Sequence, residues 1–290
     1  MFGSDKRMDI IYRVDPHAPL TTPQINSAEE ALAKLAAGNA RFHSLVCRVQ
    51  DAACNHGHHP EVVIPVSPIS LGVPFISGVA PSHNPYALIL GCSDARVPLE
   101  NVLDCAANEV FVVRVAGNVL GVECLGSIDY AVCNLKSSLR TVIVMGHTGC
   151  GAVSAAVDIY LTPSDFPGIA FSHALRSLVD RIMLTVRGAD RALKRIIGDD
   201  VSSHPNYRQL LIDTAIYMNA AVTAHDLQRE VRSICEDMNV VYSVYDVAHA
   251  QITALPYAPD ESKPLAFAPA PLNAEDFHAV ANEVVLRLQS

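Results

Sequence analysis

Three runs of this chain, residues 86–91, 110–116 and 141–146, are apolar almost without a break. Strand-length runs without polar alternation belong in a sheet covered on both faces, which is the habit of parallel sheets under helices. The remainder of the chain supplies the helices, at Ser127–Lys136, Cys150–Tyr160, about 172–197 and 207–238. A last strand pair, Val240 to Val247 and Gln251 to Leu255, turns at Ala248-His249-Ala250. The expected fold is therefore α/β, with an open, mostly parallel sheet and flanking helices.

Around this core the signals are simpler. Ser27-Ala28-Glu29-Glu30 is a capping box, and Ala31, Leu32, Leu35, Ala36 and Phe42 follow at helical spacing, predicting a helix over 28–43. Residues 1–26 read as an irregular arm, and 44–84, rich in Pro, Gly and His, as a long loop or insertion. A Pro-rich stretch, 256–271, leads to an amphipathic helix near 274–288. The 290 residues are expected to form one domain: an arm, helix and loop (1–85), a core (86–255) and an extension (256–290).

Composition excludes several function classes. A formal charge of −9 without a Lys/Arg run argues against nucleic acid or an anionic membrane as partner. The apolar stretch Val62–Val79 is broken by Pro65, Pro68 and Pro74 and cannot span a bilayer. The N-terminal residues lack the apolar core of an export signal, and eight scattered cysteines do not form a disulfide framework. Free thiols and a cytoplasmic setting are expected, with Cys105, Cys124, Cys133 and Cys235 as small buried hydrophobes. A hydrophobic content of 50% favours a dimer.

Chemistry gathers at two strand ends. Gly91-Cys92-Ser93-Asp94-Ala95-Arg96 follows the first apolar run, and Gly146-His147-Thr148-Gly149-Cys150 closes the third. Cys92, His147 and Cys150 make three of the four ligands a tetrahedral zinc prefers, the pattern of a catalytic site with one open position. Thiolates favour such a borderline-soft ion over magnesium or calcium. A second His/Cys-rich segment, from Cys47 and Cys54 to His59, fits no standard zinc spacing and reads as solvated loop.

Cys-Ser-Asp-Ala-Arg, Phe111-Val112-Val113-Arg114-Val115-Ala116-Gly117-Asn118, Ser127-Ile128-Asp129-Tyr130-Ala131 and Gly-His-Thr-Gly-Cys-Gly occur in that order over residues 86–152. Together they resemble the β-class carbonic anhydrases. The resemblance implies a sheet with an antiparallel edge strand, an N-terminal helical arm and a homodimer or higher homo-oligomer. It implies one zinc per subunit on Cys92, His147 and Cys150, with Asp94 as a possible fourth ligand. It further implies reversible hydration of carbon dioxide to bicarbonate by zinc-bound hydroxide, gated by an Asp94–Arg96 dyad. An arginine that grips a carboxylate bidentately biases it away from the metal, which gives the dyad its physical sense. His83, Phe111, Ala116, Tyr130 and the Gly151 amide would line the substrate pocket.

The chain departs from the family pattern at His83, where a glutamine donor is usual, and at Val115, Ala95 and Asp129. None of these is a metal ligand. Two rival readings follow: hydrolysis of carbon disulfide or carbonyl sulfide on the same fold, and a noncatalytic zinc or bicarbonate-binding protein.

Overall fold

The computed structural model describes residues 9–14, 24–54, 61–66, 72, 78–257 and 264–289. Its central sheet has six strands. Strands β3 (Ala87–Gly91), β4 (Val110–Arg114), β5 (Thr141–His147) and β6 (Val240–Asp246) run parallel in the order β4-β3-β5-β6. Strand β7 (Gln251–Thr253) continues the sheet antiparallel to β6, and the short β8 (Ala268–Pro269) also pairs antiparallel with β6. The expected mixed α/β sheet with an antiparallel edge is present.

The apolar runs become strands because alternate residues serve two cores. Leu88, Leu90, Val142 and Val144 pack into one buried cluster; Ala87, Ile89, Ile143 and Met145 pack into the other. On the first face lie α3 (Val122–Asn134), α4 (Gly151–Leu161), α6 (His173–Ile197), α7 (Tyr207–Ile234) and α8 (Ala274–Leu288). A single turn, α5 (Phe166–Ile169), links α4 to α6. The second face is covered by α1 (Ala28–Cys54) and the short α2 (Leu99–Val102). Cys92 and Cys150 belong to the first core, so the strand-end site opens on the α4–α7 side.

Helix α1 begins where the capping box predicts, with Ser27 Oγ accepting from the Glu30 amide at 3.2 Å. The Glu30 carboxylate reaches back to the Asn26 amide at 2.8 Å. The helix docks through Asn39, whose Nδ2 donates to the carbonyls of Val102 and Ala250 and whose Oδ1 accepts from the Ile252 amide. Gly38 permits this approach, since a Cβ there would overlap the Leu103 carbonyl.

The structure corrects the reading of the N-terminal third. Helix α1 continues from residue 43 to Cys54, carried by half-buried Leu45, Val46 and Ala52. Residues 10–14 are not irregular: β1 (Ile10–Val14) pairs in parallel with β2 (Val62–Val66) in a separate two-stranded sheet. Helix α3 starts at Val122, five residues before the expected Ser127. All eight cysteines are free; of the four expected to be buried, Cys105, Cys124 and Cys235 are only half-buried and Cys133, on the outer face of α3, is exposed. Cys47 and Cys54 lie on α1, and the rest of the His/Cys-rich segment, residues 55–59, lies outside the described residues. No helix among the described residues is long and apolar enough to cross a membrane.

Candidate metal centre

Register places the site. Gly91, the last residue of β3, pairs with Arg114 of β4 and Met145 of β5, so Cys92 leaves the sheet beside the end of β5. His147 is the final residue of β5, and Cys150 caps the first turn of α4. Gly149 makes the tight turn between them with φ of 67°, a conformation that favours glycine. The Cys92 and Cys150 sulfurs and a His147 ring nitrogen all lie within 4.8 Å of one another, and all three residues are buried. They are the only such triad among the described residues. The crevice outside the carboxyl ends of parallel strands is where open α/β sheets bind ligands.

The donor set fits a soft divalent cation. His147 Nδ1 lies 3.0 Å from the Thr148 carbonyl. A carbonyl can only accept, so Nδ1 carries the proton and Nε2 presents its lone pair. Nε2 is buried and has no hydrogen-bond partner. A buried polar atom is rarely left unpaired, and a second-shell bond that fixes the other nitrogen is the usual arrangement around a metal-ligating histidine.

The two thiols are coupled. Hydrogen bonding from Cys150, against the opposing cost of burial and with help from His147, lowers the Cys92 thiol to about 4. The same contact and burial raise Cys150. One proton therefore leaves this pair readily and the second is held back by the charge already present. A divalent cation removes that penalty by balancing both thiolates.

Asp94 stands beside this triad without joining it. Arg96 Nε donates to Oδ1 at 3.0 Å, Nη2 to Oδ2 at 2.7 Å, and the Arg96 amide to Oδ1 at 2.9 Å. This clamp, opposed by burial, holds the carboxyl well below the usual carboxylate range. Asp94 Oδ2 lies 3.8 Å from His147 Nε2. Arg96 Nη2 also donates to the Gly149 carbonyl at 3.0 Å, so one guanidinium ties the Cys92 loop to the His147–Cys150 turn.

Three further residues shape the centre, and sequence reading gave them no role. Arg114 donates to the carbonyls of Cys92 and Asp94, at 3.0 and 2.6 Å, and fixes the turn between them. The Gly117 amide donates to Cys92 Sγ at 3.3 Å. Asn219 of α7 donates to the Gly117 carbonyl at 2.8 Å, behind that amide. Arg114 and Gly117 lie inside a quoted motif, which was a usable signal; Asn219 stands 102 residues from its partner and had none.

The sequence-selected pocket residues separate into two groups. Ala116 opens the short 3₁₀ turn that carries Gly117, and Gly151 directly follows Cys150, so both adjoin the triad. Phe111 instead pairs with Leu88, four residues before Cys92, which is about 13 Å back along the strand. His83 stacks on Phe111 there, with ring centroids 5.8 Å apart. Tyr130 is 54% exposed on α3. Phe111 itself is half-buried and packs against the first core.

A sequence model of the family described as carbonic anhydrase matches residues 87–258, more than half of the chain. The chain belongs to the carbonic anhydrase family. Over 110 residues it is 39% identical to "Carbonic anhydrase 2" of Mycobacterium tuberculosis, covering 38% of this chain and 50% of that protein. Over 131 residues it is 36% identical to a carbonic anhydrase of Mycolicibacterium smegmatis, covering 44% and 59%. The chain thus spans about half the length of the curated relatives it matches. Its fold is that of the Coccomyxa β-carbonic anhydrase, at a TM-score of 0.50 and 19% identity over 86% of this chain and 92% of that one. The carbonic anhydrase match begins at β3 and includes the whole triad, the Asp94–Arg96 pair and Gly117.

Proposed function

We propose that this chain catalyses the reversible hydration of carbon dioxide to bicarbonate, with one zinc ion on Cys92, His147 and Cys150. The observation that carries the reading is the pairing of a buried Cys-His-Cys triad with a carboxylate held close by but turned onto an arginine. A zinc ion there supplies Lewis acidity that makes a bound water acidic near neutral pH.

The chain's own residues supply orientation. Asp94, ionised and an acceptor only, takes a hydrogen bond from the reacting water and directs a lone pair at the substrate carbon. Arg96 keeps Asp94 in that role, because a carboxylate satisfied on both oxygens gains less by moving onto the metal. Releasing the clamp would let Asp94 fill the fourth ligand position and close the site, which makes the dyad a gate. A noncatalytic zinc site has no use for such a pair, so the dyad favours an enzyme. Ala116 and the Gly151 amide form the near wall of a pocket suited to a small apolar substrate.

His83, Phe111 and Tyr130 remain pocket residues in this reading, and the functional unit is a homodimer or larger. Val122 and Phe171, each 78% exposed, and Leu184, 71% exposed, support burial against further copies.

The test is direct assay of purified protein whose zinc content has been measured. Carbon dioxide hydration at one zinc per chain is the expected result. Strong carbon disulfide turnover with negligible hydration overturns the substrate assignment, and turnover of neither by zinc-loaded protein overturns the enzyme reading.

A further inference from the structure

The first face of the sheet carries a second concavity, remote from the triad and unused by the chemistry above. It has a volume of about 450 Å³ and is lined by His225, Gln228, Arg229 and Arg232 of α7 with Leu272 from the segment before α8. Residues 225, 228, 229 and 232 fall on one helical stripe, so three basic side chains share one wall. The volume is within the range of small-molecule sites.

The wall is fixed and its cationic groups are uncommitted. Gln228 is satisfied at both ends, Nε2 donating to the Met238 carbonyl and Oε1 accepting from the Val240 amide. His225 Nδ1 lies 2.7 Å from the Pro271 carbonyl, and its ring sits edge-on to Phe277 at 5.1 Å. Nδ1 therefore carries the proton and Nε2 presents only a lone pair, so the ring is a wall of the concavity and not a donor to an anion. Neither Arg229 nor Arg232 forms an ion pair or hydrogen bond among the described residues, although other surface arginines do: Arg208 pairs with Asp158, and Arg195 bonds Asn282. Asp226 and Glu230 fall on the flank of α7 away from this stripe, and Asp276 is occupied by the Leu272 amide. Two unpaired guanidiniums therefore stand at one concavity of a chain whose formal net charge is −9.

We propose that this concavity binds a small organic oxyanion, a phosphate ester or a carboxylate. Arg229 and Arg232 hold the anionic group as a planar two-donor fork, and Leu272 covers the ligand's carbon skeleton. The site sits on the same helix as Asn219, which supports the Gly117 amide behind Cys92. His225 and Arg232 lie about 9 and 20 Å further along that helix. The proposal stands independently of the metal chemistry.

Calorimetric titration of the purified full chain with phenyl phosphate, benzoate and inorganic phosphate tests it. Saturable binding is expected, with R229Q and R232Q each weakening it roughly tenfold, or about 1.4 kcal/mol. The double variant should abolish it, while R195Q, which alters an arginine already engaged by Asn282, should leave it unchanged. Preference for phenyl phosphate over benzoate identifies the phosphate class, and the reverse the carboxylate class. Binding that survives in the folded double variant, or no saturable binding of any probe by the unmodified chain, overturns the proposal. Circular dichroism establishes that the exposed substitutions leave the fold intact.

Discussion

Arg96 grips both oxygens of Asp94, at 3.0 and 2.7 Å, and so holds a carboxylate 3.8 Å from the free nitrogen of His147. The contact is a competition between two cations for one anion, the guanidinium and whatever the triad holds. Replacing Arg96 with Ala leaves Asp94 without its clamp and free to occupy the metal's fourth position. Carbon dioxide hydration should fall on the order of 100-fold or more, the scale of a lost positioned proton acceptor, with zinc content unchanged. X-ray absorption at the zinc edge should show a carboxylate oxygen gained in R96A and absent from the R96A/D94N double variant. Full activity in R96A would remove the gate from the mechanism.

The same clamp bears on pH. Asp94 is held ionised far below neutrality, so its own titration does not limit the proposed reaction in the physiological range. Activity should rise above neutral pH as the reacting water loses its proton, in stopped-flow hydration assays. A flat profile from mildly acidic to alkaline conditions would count against a metal-activated water.

Cys150 is 1% exposed, caps α4 and stands with its sulfur within 4.8 Å of that of Cys92. A serine hydroxyl keeps the shape but does not ionise near neutral pH, so the triad loses a thiolate. C150S should be isolated with well under one zinc per chain by elemental analysis. D94N, which leaves all three ligands in place, should retain its zinc. Equal metal content in both variants would exclude Cys150 as a ligand.

How far the sequence disclosed this arrangement follows from how local each signal is. Cys92, His147 and Cys150 stand at the ends of apolar runs, so strand periodicity alone carried them to one sheet edge. Helix α1 past residue 43 was harder to read, because its apolar spacing fades toward a segment dense in Gly, Pro and His. The pairing of β1 with β2 joins residues about fifty apart and rests on no turn signal. The bonds from Asn39 to Ala250 and from Asn219 to Gly117 cross most of the fold. They are consequences of packing and leave no periodic trace. Motif order named His83, Phe111 and Tyr130 as pocket residues, while strand register is what sets Phe111 level with Leu88, four residues before Cys92.

Asp190 of α6 gathers the segment 161–206 onto the core. Its buried carboxylate accepts from Tyr160 of α4 at 2.9 Å, from Lys194 at 3.0 Å and from Tyr207 of α7. Burial opposes its ionisation, but those three donors outweigh burial and lower its pKa. Its contribution to stability is therefore complete above the ordinary carboxylate range, near pH 4, and is lost as pH falls through the lower folded value. D190N should cost about 1–3 kcal/mol in urea unfolding at neutral pH. The gap from the unmodified chain should narrow below about pH 4. A gap that is constant with pH would mean that the carboxylate's charge is not what matters.

Gly117 joins backbone strain to metal affinity. Its φ is 66°, and a Cβ would stand 2.9 Å from Ile182 Cδ1 and 3.0 Å from Ala152 Cβ. Ile182 Cδ1 ends a flexible side chain and can yield, but Ala152 Cβ is fixed to the α4 backbone, so overlap adds to the cost of the left-handed backbone, about 1–2 kcal/mol. G117A should lose at least that much stability in urea. Gly126 makes the comparison: a Cβ there meets nothing within 4 Å, and its helical setting favours alanine, so G126A should be neutral or slightly stabilising. The second effect concerns Cys92. Any shift of the Gly117 backbone withdraws an amide donor from Sγ, and hydrogen bonds to a ligating sulfur tune how tightly it holds charge. Chelator competition should therefore show weaker zinc retention in G117A, while G126A retains zinc like the unmodified chain. Stability lost without any change in zinc retention would assign Gly117 to packing alone and remove the amide from the description of the centre.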